Sequence, residues 1–239
     1  MCAAATAAAG CAYPSLVGPT AVTPRLTTPT PTSVLRIGAG IHRVAFGAAD
    51  LVAYLPPRAL ALSRIPVMLF LHGALRTVEI FVDGHRAAAD ATGVCVVAPY
   101  ATYGTWDAIG GSYGRDINVL DATLRWLYEN VPVNPERVGL SGFSDGASYT
   151  LGIGRANGDL FTRLIAYSPG MLLDGPRTGT PPIVISHGTE DSVLSFDYSR
   201  GVIVPRLREE GYQVEFRSFV GPHAVPSSVM TEQMSVLAG

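Results

Sequence analysis

A chain of 239 residues is long enough for one α/β domain with a buried sheet and short for two. The formal net charge is −2 and only 15% of residues are charged, so nothing in the charge balance favours nucleic acid or an anionic membrane as a partner. No lysine occurs, which excludes a lysine Schiff base, a pyridoxal phosphate anchor and a phosphate-loop lysine.

Residues 1–33 are rich in Ala and Gly up to Gly10 and in Pro and Thr up to Ser33, without periodic apolar patterning. Such a segment has little to bury and reads as an extended or flexible tail, with residues 34–239 forming the domain. Ala8-Ala9-Gly10-Cys11 is similar to a lipobox, but no Arg precedes Arg25 and the stretch before Cys11 is mostly Ala, unlike a signal peptide. The cellular address stays open: cytoplasmic, or exported and lipid-anchored if the lipobox is genuine within a longer precursor. Cys2 and Cys11 fall in the tail, and Cys95 lies in the apolar run Val94-Cys95-Val96-Val97 as a buried, inert thiol. Neither a disulfide framework nor metal-ligand spacing results, so no metal is expected. No apolar stretch reaches the ~18 residues of a membrane span.

From Val34 onward strand and helix patterns alternate. Val34–Ala39, His42–Phe46 and Leu51–Leu55 read as an opening antiparallel meander. Short apolar or alternating strands follow at Ile65–Leu71, Val94–Ala98, Arg137–Leu140, Leu164–Ala166, Ile183–Ser186 and Val214–Phe219. Helical patterns fall near 78–91, 116–130, 145–156, 197–210 and 226–237. This alternation predicts a mostly parallel central sheet flanked by helices on both faces.

Gly142-Phe143-Ser144-Asp145-Gly146 matches G-x-S-x-G between a buried strand and a helix, the nucleophile turn of the α/β-hydrolase fold. A sharp strand-to-helix turn crowds its own backbone, so Gly142 and Gly146 suit positions where a side chain would clash. Ser144 is then thrust out with a helix amino terminus behind it, where developing negative charge is favoured. Asp145 would present its backbone N–H to that charge while its carboxylate points away.

A serine hydroxyl is a poor nucleophile near neutral pH and needs a base, which an acid must orient. In this fold the chain order is serine, acid, histidine, each after a strand. Only His187 and His223 follow Ser144. His223, after the last strand, is the candidate base; Asp191 is its acid partner, with Glu190 as the rival acid. His187 reads as a structural histidine of the turn after its strand. Ile65–Leu71 ends in His72-Gly73-Ala74, the position that supplies the second backbone donor of an oxyanion hole. Ala74 and Asp145 are the candidate donors, with Leu75 as the alternative to Ala74, and the His72 side chain is structural.

Taken together, His72-Gly73-Ala74, Gly142-Phe143-Ser144-Asp145-Gly146, His187-Gly188-x-x-Asp191 and Gly-Pro-His223-x-x-Pro226 resemble the predicted-esterase group of α/β-hydrolases. That group holds phospholipase/carboxylesterase and poly(hydroxyalkanoate) depolymerase-like members, and the resemblance spans roughly residues 50–237. It implies a serine carboxylesterase acting through an acyl-enzyme with no cofactor, and the lack of an insertion long enough for a large lid suggests small, short-chain esters. Lysophospholipase, thioesterase and polyester depolymerase activities would use the same three residues. A non-hydrolytic binding protein of this fold would more usually have lost one of them. Two departures weaken transfer of substrate preference: Asp145 stands where Gln is usual, and Gly221-Pro222 where Gly-Gly is usual.

The substrate pocket is sought in loops at the carboxyl ends of strands, with Leu75, Trp106, Met171, Leu172 and Val193 as candidates. The expected partner is a small-molecule or lipid-like ester, with the chain a monomer or homodimer.

Overall fold

The computed structural model describes residues 23–45, 50–74 and 78–239. Eight strands form: β1 (Gly40–Val44), β2 (Leu51–Leu55), β3 (Ile65–Leu71), β4 (Cys95–Pro99), β5 (Val133–Phe143), β6 (Arg163–Tyr167), β7 (Ile183–Gly188) and β8 (Val214–Phe219). They join in one sheet in the order β1-β2-β4-β3-β5-β6-β7-β8. β1 and β2 pair antiparallel, as do β2 and β4, and every other pairing is parallel.

β2, β3 and β4 are buried along their whole length because both of their faces are covered. In β3, Val67, Leu69 and Leu71 face one core cluster while Met68 and Phe70 face the other. The first cluster contains Leu120, Leu124 and Leu127 of α2 (Arg115–Asn130) and Leu151 and Ile153 of α3 (Asp145–Ala156). The second contains Val78 and Val82 of α1 (Val78–Thr92) and Met230 and Met234 of the C-terminal helix at Ser227–Ala238. Pro66 lies inside β3, where it cannot donate to a ladder; the pairing with β5 shifts register between Ile65 and Val67, which accommodates it. Cys95 is fully buried in β4 and burial pushes its thiol up to about 12, so it stays an inert thiol.

Two expectations need correction. Residues 34–39 form no strand. The N–H of Thr32 and of Arg36 instead donate to the carbonyls of Tyr128 and Asn130 at the end of α2, so this stretch is tied to a helix end rather than to a sheet edge. The helix expected over 197–210 is broken into α4 (Phe196–Tyr198), a wide π-type turn at Ser199–Ile203, and α5 (Val204–Glu209). Pro205 has no N–H to give the preceding turn, which favours that widening. The C-terminal helix is then α6.

The described part of the tail is an extended strap held against the domain. Arg25 forms a two-point ion pair with Asp159 at 2.8 Å. Asn157 accepts from the N–H of Leu26 at 2.8 Å and donates to the carbonyl of Pro24 at 2.8 Å. Leu26 enters the core at 6% exposure. Cys2, Cys11 and the Ala8-Ala9-Gly10-Cys11 stretch lie outside the described residues, as does Phe46. Among the described residues no helix is long and apolar enough to cross a membrane.

Two predictions follow from these contacts. Asn157→Ala leaves the Leu26 N–H and Pro24 carbonyl without their buried partner and is expected to cost about 1–3 kcal/mol in urea unfolding. His85 of α1 is buried against Phe70, and desolvation pushes its imidazole down to about 4, against the raising influence of the Phe81 carbonyl. A depressed folded value means that neutral His85 contributes its full stability above the unfolded value of 6.5 and loses it as pH falls towards 4. That loss should be on the order of 3 kcal/mol, and His85→Leu should flatten this part of the stability–pH curve.

Candidate active site

Parallel pairing brings the carboxyl ends of β3, β4, β5, β6, β7 and β8 to one edge of the sheet, and the candidate residues all follow these ends. Leu71 of β3 is level with Gly142 of β5, Phe143 with Tyr167 of β6, and Gly188 of β7 with Phe219 of β8. Ser144 lies on the bend between β5 and α3 with φ 58° and ψ −119°, a backbone conformation that only surrounding structure can impose on a non-glycine residue. Its N–H donates to the Tyr167 carbonyl at 2.9 Å, and its carbonyl accepts from Ala147 at 3.0 Å and Ser148 at 3.1 Å.

The flanking glycines are required by close approach. A Cβ on Gly142 would overlap the backbone of Gly146, and one on Gly146 would overlap the carbonyls of Leu71 and His72. The end of β3 therefore rests directly on the first turn of α3. Gly73 presses on the Ser144 side chain, where an added Cβ would sit 3.1 Å from Cβ of Ser144.

His72 is fully buried. Its Nε2 accepts from the Ala101 N–H at 2.9 Å, so the ring proton is on Nδ1, which donates to the Gly73 carbonyl at 2.6 Å. This fixes the loop that carries Ala74. The N–H groups of Ala74 and Asp145 have no hydrogen-bond partner among the described residues. The Asp145 carboxylate accepts from the Thr105 hydroxyl at 2.6 Å and is held by the loop after β4.

His223 and Asp191 meet: Nδ1 of His223 donates to Oδ2 of Asp191 at 2.7 Å. Oδ1 of Asp191 accepts from the N–H of Val193 at 2.9 Å and of Leu194 at 2.8 Å. Burial pushes the Asp191 carboxyl up, but the N–H of Leu194, the imidazole of His223 and the N–H of Val193 outweigh it and hold it below the ordinary carboxylate range. Glu190, the rival, is exposed, and its side chain makes no hydrogen bond to His223. The His223 ring packs on the ring of Phe143, the residue before Ser144, with centroids 4.5 Å apart. Among the described residues no hydrogen bond joins the Ser144 hydroxyl to His223, so the structure forms one of the two expected contacts of this imidazole.

The pocket candidates fare unevenly. Trp106 is fully buried and its indole N–H donates to the His72 carbonyl at 2.8 Å, so it braces the β3 loop from behind and presents no surface to a ligand. Met171 lines a cavity of about 470 Å³ with Ile109, Tyr113, Leu173 and Pro24 of the strap. Ser144 is not in that lining, but Ser148, one helical turn on, accepts from the N–H of Met171 at 3.2 Å. Leu172 is half-buried against the core, Val193 is 65% exposed beside Asp191, and Leu75 lies outside the described residues. Sequence reasoning missed Phe143 as the platform for His223, Thr105 as the holder of Asp145, and Ser148 as the anchor of the Met171 loop. None of these carries a spacing signal of its own.

The whole arrangement has counterparts among solved structures. S-formylglutathione hydrolase from Staphylococcus aureus is matched at TM-score 0.66 and 13% identity, over 84% of this chain and 99% of that one. The fold is that of the α/β-hydrolases. Acetyl xylan esterase from Aspergillus awamori is matched at 0.65 and 16% identity, over 84% of this chain and 100% of that one. Fluorophosphonate-binding serine hydrolase F of S. aureus is matched at 0.63 and 14% identity, over 84% and 100%. No family model and no curated protein sequence matches the chain.

The crowded turn gives a direct test. Gly146→Ala in this α/β-hydrolase fold sets a methyl group against backbone carbonyls that cannot swing aside. The expected result is a loss of about 3 kcal/mol or more, or insoluble protein, in chemical denaturation. An unchanged unfolding midpoint would mean that β3 and α3 are not packed this closely.

Proposed function

We propose that the chain is a serine carboxylesterase that hydrolyses small esters through an acyl-enzyme. The observation that carries the reading is the Asp191–His223 pair, bonded at 2.7 Å, on the same sheet edge as a serine held at φ 58°. In this reading Ser144 attacks the ester carbonyl, His223 takes the hydroxyl proton through Nε2, and Asp191 keeps the Nδ1–H tautomer and steadies the imidazolium. The same proton passes to the departing alkoxide, and water repeats the sequence on the acyl-enzyme.

The N–H groups of Ala74 and Asp145 would receive the oxyanion, with the amino terminus of α3 adding to the field. Both lack a partner among the described residues, as a preorganised hole requires. A donor of this kind is worth roughly 10²–10³ in rate. No step needs a cofactor. A small acyl group is favoured because, among the described residues, no helical lid is inserted after β6. Two of the fold neighbours are named for the smallest acyl groups, formyl and acetyl.

Aryl esters of graded acyl length test the reading. Activity is expected to fall from C4 to C12, and Ser144→Ala and His223→Ala should each lower kcat by on the order of 10⁴–10⁶, with the double variant little worse. Asp191→Asn should cost about 10⁴ by favouring the wrong tautomer, while Glu190→Gln stays near wild type. Wild-type turnover in His223→Ala would refute the mechanism; a crippling Glu190→Gln beside a mild Asp191→Asn would move the acid to Glu190.

A further inference from the structure

His187 has no role in the mechanism above, yet it touches the carboxylate on which that mechanism depends. Its Nε2 lies 3.0 Å from Oδ2 of Asp191, the same oxygen that receives Nδ1 of His223 at 2.7 Å. His187 and Asp191 side chains are fully enclosed, while His223 retains 14% exposure towards the cleft. Asp191 thus accepts three hydrogen bonds, from the Val193 and Leu194 N–H on Oδ1 and from His223 on Oδ2, and Nε2 of His187 adds a close polar contact to Oδ2.

The tautomer of His187 follows from its surroundings. The groups facing it are Asp191, His223, the Leu194 carbonyl, the Ser199 hydroxyl and the edge-on ring of Phe196. Desolvation lowers its pKa, outweighing the Leu194 carbonyl and Asp191, which raise it, so the ring is neutral near pH 7 and carries one proton. Nε2 faces only acceptors, the ionised Asp191 and the Leu194 carbonyl at 3.2 Å, so the proton sits there. Nδ1 then accepts, and the Ser199 hydroxyl at 2.8 Å is the nearest donor, its one proton also having the Pro169 carbonyl within reach at 3.1 Å. Ser199 opens the π-type turn that interrupts the helix expected at 197–210, and such turns recur at functional sites.

We propose that His187 is a positioning residue for the esterase chemistry: through Nε2–H it fixes the Asp191 carboxylate and draws charge from the oxygen that His223 uses, with Ser199 setting the His187 tautomer. The proposal rests on the esterase reading for its kinetic consequence but not for its electrostatic one. A second donor on Oδ2 makes that oxygen a weaker acceptor for His223, so removing it should raise the pKa of His223. A histidine that only filled space beneath the loop would leave that pKa where it is.

The experiment compares His187→Phe, which keeps a ring and loses both nitrogens, with His187→Gln, which offers an amide N–H near the position of Nε2, and with Ser199→Ala. The His223 imidazole is titrated by ¹⁵N-edited NMR, which requires no turnover, and kcat and KM are measured with a short-chain aryl ester. His187→Phe should raise the His223 pKa by about half a unit or more. It should also lower kcat roughly 10–100-fold with KM nearly constant, the range seen when hydrogen-bond partners that orient catalytic-site imidazoles are removed. His187→Gln should restore most of both, and Ser199→Ala should shift both in the same direction by less. An unmoved His223 pKa in a folded His187→Phe or Ser199→Ala protein overturns the proposal, whatever happens to kcat. A wild-type protein without Ser144-dependent ester hydrolysis overturns the esterase reading instead, and the NMR shift still decides the role of His187.

Discussion

Everything at the site hangs from the contact between the end of β3 and the first turn of α3. Gly146 has no Cβ, so the carbonyls of Leu71 and His72 can rest against its backbone, and Gly142 lies equally close on the other side of the bend. This closeness gives the bend no room to relax, and Ser144 is held at φ 58° by three backbone hydrogen bonds. Strain of this kind costs about 1–3 kcal/mol and persists only where neighbours over-determine it. Here the surrounding parallel strands do so, since β3 and β6 flank β5 on either side.

A second layer of order supports the β3 loop. Trp106 donates to the His72 carbonyl, Ala101 donates to the His72 ring, and the ring donates to the Gly73 carbonyl. The loop that supplies Trp106 and Thr105 is itself tied down by Asp116, which is buried and accepts from the N–H and hydroxyl of Thr102 and from the N–H of Asp107. A run of Gly and aromatic residues that reads as a ligand-facing loop is therefore largely a buttress. Its large aromatic side chain is spent inward, where the indole N–H finds a carbonyl and the ring meets His72 and Tyr149.

The fold was readable because its inner strands are short, continuous apolar runs between helical patterns, and β3 and β8 were placed to the residue. The strand-to-helix bend at Ser144 was readable because close approach demands glycine at two fixed offsets, a local signal. Chain order alone pointed to an acidic loop beside His223, and it is Asp191 rather than Glu190 that bonds to His223. What local pattern could not reveal was long-range pairing. Nothing near Pro24 or Leu26 announces that Asn157, more than 130 residues away, will bind both, so a Pro- and Thr-rich stretch read as extended or flexible chain. Trp106 was misjudged for the same reason: composition marks an aromatic residue as a surface for ligands, and only the tertiary partner shows which way it faces. The His187–Asp191 spacing of four was visible, but a loop spacing carries no fixed direction, unlike the same spacing on a helix.

The site combines a rigid half and an adjustable half. Ser144, Gly73 and the two unpartnered N–H groups are fixed by backbone packing, and Asp191 by three hydrogen bonds and the His187 contact. His223 lies between them, held by one hydrogen bond and by the face of Phe143. The Phe143 contact is tilted and less directional than the bond to Asp191, so it restrains the imidazole less. Among the described residues no hydrogen bond joins His223 to the Ser144 hydroxyl, and contacts of this kind often close only when substrate is bound. A histidine that must accept a proton from one partner and deliver it to another benefits from such freedom, provided the carboxylate behind it does not move. On the proposed mechanism the heavy investment of hydrogen bonds in Asp191, rather than in His223, is what lets the base shift without losing its orientation.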